Sequence, residues 1–156
     1  MIGMDILGPA VALMIWTMII WAWMYASRIP AMQKAEIAPD DAQVTGLLDQ
    51  KLPREVQWKA HNYNHLHEQP TIFYAVCIVL AIIGAGDGLS AFLAWIYMGL
   101  RVIHSIVQVT ANKVMVRFVL FALSSVVLMV LIMEAALVVF GGGPDLTGQM
   151  AAPIPV

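Results

Sequence analysis

Long apolar runs alternate with short polar breaks along the chain. Ile6 to Ser27 contains 22 residues without a charge, and Gln69 to Gly86 contains 18 more. A third apolar stretch, about Leu89 to Val109, holds one charge, Arg101, with His104 close by. A fourth, from Phe118 to about Phe140, holds Glu134. A helix crosses the hydrocarbon core of a bilayer in about 20 residues, so this pattern predicts four transmembrane helices. The expected protein is an all-α integral membrane protein, one four-transmembrane-helix bundle over residues 1–144 with a flexible tail at 145–156. Its spans fall at about 6–27, 69–86, 89–110 and 116–140. Three tryptophans (Trp16, Trp21, Trp23) and the lack of a basic leader mark the first span as a retained helix rather than a cleaved signal.

The sizeable polar segment, about Arg28 to Glu68, joins the first two spans. Pro30, Pro39, Gly46 and Pro53 are turn formers in its early part. From about Arg54 it reads as helix, continuing straight into the second span, with Pro70 able to kink or open it near carbonyl 66. Gly84-Ala85-Gly86-Asp87-Gly88 is a tight turn between spans two and three, and about Thr110 to Val116 joins spans three and four.

Composition sharpens this picture. The chain is 61% hydrophobic and 12% charged, against about 45–50% and about 25% in ordinary soluble domains, and its mean hydropathy is +0.81. So few charges cannot cover a water-soluble globule. A net charge of −2 offers no field for nucleic acid. The single cysteine, Cys77, excludes a disulfide framework and cysteine-based zinc, and mid-span it reads as unreactive. Five basic residues lie in the first connection (Arg28, Lys34, Lys51, Arg54, Lys59) and two in the last (Lys113, Arg117). By the positive-inside rule both connections are cytoplasmic and both termini face the other side.

Ionisable groups within a bilayer are costly and need a partner or a wet pocket. Arg101, His104, Gln108 and Asn112 fall at i, i+3, i+7 and i+11, one stripe along an otherwise apolar helix, so the stripe faces protein or water. A second polar cluster, His61, Asn62, Asn64, His65, His67 and Glu68, precedes Pro70 at the entrance to span two. On a helix, His61, Asn64 or His65, and Glu68 share a face. Arg117 opens span four at the same end. Arg101 has a structural alternative, an ion pair with Glu68 or Glu134. Glu134 otherwise reads as a helix–helix contact. The three neighbouring histidines lack a carboxylate-rich frame or an HExxH spacing, so no metal is expected.

The run from Asn64 through His65, His67, Glu68, Pro70, Phe73 and Tyr74, followed by Gly99, Arg101, His104 and then Arg117, resembles the membrane-associated proteins in eicosanoid and glutathione metabolism (MAPEG). That family includes microsomal glutathione transferases and prostaglandin E synthase. The likeness spans about Met14 to Leu137 and looks closer to the bacterial branch than to the animal enzymes. It implies a homotrimer of four-helix subunits in a bacterial inner membrane, with glutathione as co-substrate between subunits at the cytoplasmic end. It further implies a lipophilic small molecule as second substrate. The residues it assigns to glutathione are Arg28, His61, Asn64, Glu68, Arg101, His104 and Gln108. Arginine forks suit the two carboxylates, Glu68 suits the ammonium or a backbone amide, and Asn64 can serve either. Arg117 matches the arginine beside the thiol, where a cation favours the thiolate nucleophile of conjugation or peroxide reduction.

The departures have chemical content. Where animal members often carry a tyrosine after the span-three histidine, this chain has Gln108. Where prostaglandin E synthase has a serine after the thiol-side arginine, it has Phe118, which argues against prostaglandin isomerase chemistry. One residue separates Glu68 from Pro70 where animal enzymes have three, leaving open the register of Glu68 and the choice between Asn62 and Asn64. The expected function is thus a glutathione-dependent transferase or peroxidase. The alternative is a catalytically silent member of the same fold that binds glutathione or lipid. A small transporter has no support from repeats or broken half-helices.

Overall fold

In a computed structural model, which describes residues 2–38, 40 and 45–141, the chain is all helix and turn. The expected tail, 145–156, and Pro39 lie outside the described residues. Among the described residues six helices follow in order: α1 (Leu7–Lys34), α2 (Thr45–Lys51), α3 (Arg54–His65), α4 (Gln69–Ile82), α5 (Leu89–Val109) and α6 (Val114–Phe140). Of these, α1, α5 and α6 are long and apolar enough to cross a membrane. In lipid only a helix closes its own backbone hydrogen bonds, which is why such apolar runs resolve into helices here.

The seams are narrow. α6 buries Ser124, Leu128, Leu131 and Ala135, a 4-3-4 spacing along one side, and exposes Phe118, Met129, Met133 and Leu137 on the others. α5 packs along this seam and is the hub of the bundle, also touching α1 and α3. The main core gathers Leu13, Ile20, Phe73, Leu80, Tyr97 and Leu131, and a small satellite core gathers Ile37, Leu48 and Leu52 under α2. At the far end the Gly84–Gly88 turn is tied to the N-terminal segment. The Gly3 amide donates to the Ala81 carbonyl and that of Ile6 to the Gly86 carbonyl, each at 3.0 Å. A Cβ on Gly86 would come within 2.5 Å of the Gly3 oxygen, so only glycine allows this approach.

Three sequence expectations change. The second apolar run is not one rod from residue 54: α3 stops at His65, a turn occupies Leu66–Glu68, and α4 restarts with Pro70 in its first turn. The cause is Pro70, which has no N–H to give and whose ring would clash with carbonyl 66. Next, Pro30 does not end α1, which runs on to Lys34. Proline costs one hydrogen bond, and at an exposed helix end water can replace it. Gly46, expected in a turn, lies inside α2.

Candidate functional site

The stripe is buried along α5 as far as Gln108, but Asn112, expected to continue it, lies beyond the helix end at Val109 and is only half-buried. Tyr97, Arg101, His104, Ser105 and Gln108 are each at most 3% exposed, and their 4-3-1-3 spacing turns them toward α3, α4 and α6 rather than toward lipid. The guanidinium of Arg101 lies between two rings, its Cζ 5.3 Å from the centre of Tyr97 and 5.0 Å from that of Phe121. Its Nε donates to the Tyr97 hydroxyl at 3.1 Å. That hydroxyl donates in turn to Gln69 Oε1 at 3.5 Å, and Gln69 Nε2 donates to Ser125 Oγ at 2.8 Å. Arg101 is thereby anchored to the start of α4 and the middle of α6.

Neither carboxylate considered for Arg101 reaches it, and among the described residues it forms no ion pair. Glu68 takes His65 instead, with Oε2 at 2.7 Å from Nδ1. Glu134 accepts from Ser90 Oγ at 2.9 Å at the other end of the bundle, joining α5 to α6. Arg101 therefore carries a buried charge without a counter-ion among the described residues.

Beside it lies a cavity of about 300 Å³ lined by His65, His104, Val114, Arg117, Phe118 and Phe121. Arg117 enters from the first turn of α6. Asn112, in the left-handed region at φ 47°, turns the chain from α5 into α6 and accepts from Arg117 Nη1 at 2.6 Å. Asparagine tolerates that conformation better than most residues. The cavity is thus cationic on one wall and aromatic or aliphatic on the other.

Four polar atoms around this cluster are buried without a partner: Arg101 Nη2, Arg117 Nε, Gln108 Oε1 and Asn62 Oδ1. Buried donors and acceptors are nearly always satisfied in native proteins. Two guanidinium donors call for an anion and the amide oxygens call for N–H groups. A ligand with both an anionic group and N–H donors meets both demands. Among the described residues no group of three or more metal-ligating side chains forms.

The structure thus brings together Arg101, His104 and Arg117, with Gln108 buried one turn beyond His104 on α5. It does not bring Arg28, His61 or Asn64 to them. Arg28 borders a small recess with Leu48, Leu52, Val56, Gln57 and Ala60, while His61 and Asn64 are exposed on α3. Glu68 is reached only through His65. Of the two asparagines, Asn62 is the buried one, its Nδ2 donating to Ser105 Oγ at 2.6 Å. Tyr97 joins the site unannounced, although it lies four residues before Arg101 on the same stripe. His65 enters as well, its ring centre 5.1 Å from that of His104. Gln69 and Ser125 have no local signal, because a polar residue at a span entrance and a serine in a span are both ordinary.

Searches of curated proteins and of solved structures returned no match. A model of the MAPEG family matches residues 6–137, a range that takes in α1, the whole of the α4–α5 region and nearly all of α6. With that match over most of its length, and helices apolar enough to span a bilayer around a buried arginine stripe, the chain belongs to the MAPEG family, the membrane proteins of eicosanoid and glutathione metabolism.

Proposed function

We propose that the protein is a glutathione-dependent transferase or peroxidase acting on lipophilic electrophiles or hydroperoxides. The observation that carries this reading is the unpartnered Arg117 Nε on a cavity whose other wall is Val114, Phe118 and Phe121, with a second unpartnered nitrogen, Arg101 Nη2, on a guanidinium packed against the Phe121 ring. Arg101 and Gln108 would hold a carboxylate and an amide of the tripeptide. Arg117 would lie against the sulfur, where its charge stabilises the thiolate. The thiolate then attacks the electrophilic carbon and expels the leaving group. With a hydroperoxide it attacks the terminal oxygen, the O–O bond breaks, and a second glutathione takes the sulfenic acid to the disulfide with loss of water. Phe118, 64% exposed, opens the cavity toward the bilayer, the phase in which such substrates dissolve.

In this reading α4 is the fourth crossing, entered through α3, and the working unit is a homotrimer in the inner membrane. Arg28, His61 and Asn64 then face a neighbouring subunit, which accounts for their separation from the cluster of their own chain. Thermal unfolding in detergent tests the core of it. A ligand that binds only the folded state must raise Tm, so glutathione should raise it, and turnover should follow with a model lipophilic electrophile. A Tm indifferent to glutathione sinks the reading. A Tm shift with no conjugation or peroxide reduction leaves a silent glutathione binder. Detergent-corrected mass should give three protomers, and a clean monomer would remove the shared site.

A further inference from the structure

Glu68 and His65 form a pair to which the glutathione reading above gives no chemical role. His65 ends α3 and Glu68 lies in the turn that Pro70 forces, so the break between α3 and α4 is what sets Oε2 2.7 Å from Nδ1. An ionised carboxylate only accepts hydrogen bonds. Nδ1 therefore carries the hydrogen, and Nε2 is left with the basic lone pair. The His65 ring lines the same cavity as Arg117 and rests against His104 and Phe121, with centre separations of 5.1 and 5.6 Å. A base held by an acceptor and placed beside a nucleophile site is the logic of activated nucleophiles on unrelated folds.

We propose that His65 is the general base that takes the glutathione thiol proton, and that Glu68 is its positioning residue. The inference rests on the glutathione reading above. The S–H bond breaks, its electron pair stays on sulfur facing Arg117, and the proton moves to His65 Nε2 while Nδ1–H remains on Glu68. The proton is then available to the departing alkoxide or leaving group, which restores neutral His65. The charged groups around the imidazole are Glu68 from the turn, Arg101 and the titratable His104 from α5, and Arg117 from α6. Glu68 is the one anion among them, and it offsets the charge His65 acquires beside two arginines. Division of labour follows: Arg117 stabilises charge on the sulfur, and His65 takes its proton.

Stopped-flow mixing of the detergent-solubilised protein with glutathione, following thiolate absorbance, separates the two. His65→Gln should slow thiolate formation about 100-fold, the low end for loss of a general base, while glutathione affinity changes less than about twofold. Glu68→Gln should slow the same step by less, and added imidazole should restore the rate in His65→Gly, which a structural role would not allow. Should His65→Gln fail to fold, His65→Asn provides the same readout. Equal rates in wild type and the His65 variants, with no imidazole effect, overturn the proposal. So does a wild type that binds glutathione without forming thiolate, although glutathione binding then stands. A wild type that does not bind glutathione overturns the functional reading itself.

Discussion

Arg101→Met separates a structural arginine from one held ready for a ligand. Methionine keeps much of the volume and removes the charge. The variant loses the bond from Nε to the Tyr97 hydroxyl, a charge-assisted contact of about 1.5–3 kcal/mol. It also loses the guanidinium's contact with the Tyr97 and Phe121 rings, about 0.5–2 kcal/mol. Against this, burying a cation that is 1% exposed and has no counter-ion among the described residues costs several kcal/mol, and that cost disappears. Tyr97 is not orphaned, because Gln69 still accepts its proton. The terms nearly cancel, so the ligand-free variant should unfold within about 1 kcal/mol of wild type, roughly 2–4 °C in Tm. Glutathione at 100 times its Kd should stabilise wild type by about 2.7 kcal/mol, or about 5–11 °C. Losing a buried charged contact costs about 2–5 kcal/mol of affinity, which at the same concentration cuts the variant's gain below about 1 kcal/mol. Thermal unfolding with and without glutathione measures all four states. A ligand-free loss of about 3–5 kcal/mol would mean that Arg101 is one half of a structural ion pair. An undiminished glutathione shift would mean that it does not touch the ligand. Either result refutes the reasoning.

Arg117→Ala should leave glutathione affinity nearly intact and lower turnover about 100-fold, as for loss of one group that meets charge in the transition state; kcat and KM with a model electrophile check it. Asn62→Ala strands the Ser105 hydroxyl in the core and should cost about 1–3 kcal/mol. The exposed Asn64→Ala should stay within about 0.5 kcal/mol, and melting of the two variants decides which asparagine belongs to the structure. A cysteine introduced at the exposed Asp87 should react from the periplasmic side with a reagent that cannot cross membranes, while the fully buried Cys77 stays silent. Labelling only after lysis would invert the orientation.

The elements were legible because a bilayer leaves the backbone one local solution: an uncharged run of sufficient length becomes a helix whatever packs against it. α5 and α6 fall where the apolar runs place them, and the burial of Arg101, His104 and Gln108 was readable because periodicity alone assigns them to one face. The break at Leu66–Glu68 was half visible, since Pro70 announces that a helix must yield but not whether it bends or stops. Pairing was not legible at all. Arg101 had two carboxylates at similar depth, and helix rise cannot say which one rotates toward it. The folded chain sends Glu68 to His65 and Glu134 to Ser90, and leaves Arg101 with Tyr97. Asn62 and Asn64 are equally polar and two residues apart, so only the rotation of α3 against α5 decides that Asn62 goes inside. Local pattern sets which residues share a helix face; which faces meet, and so which charges keep an open valence for a ligand, is a property of the packed bundle.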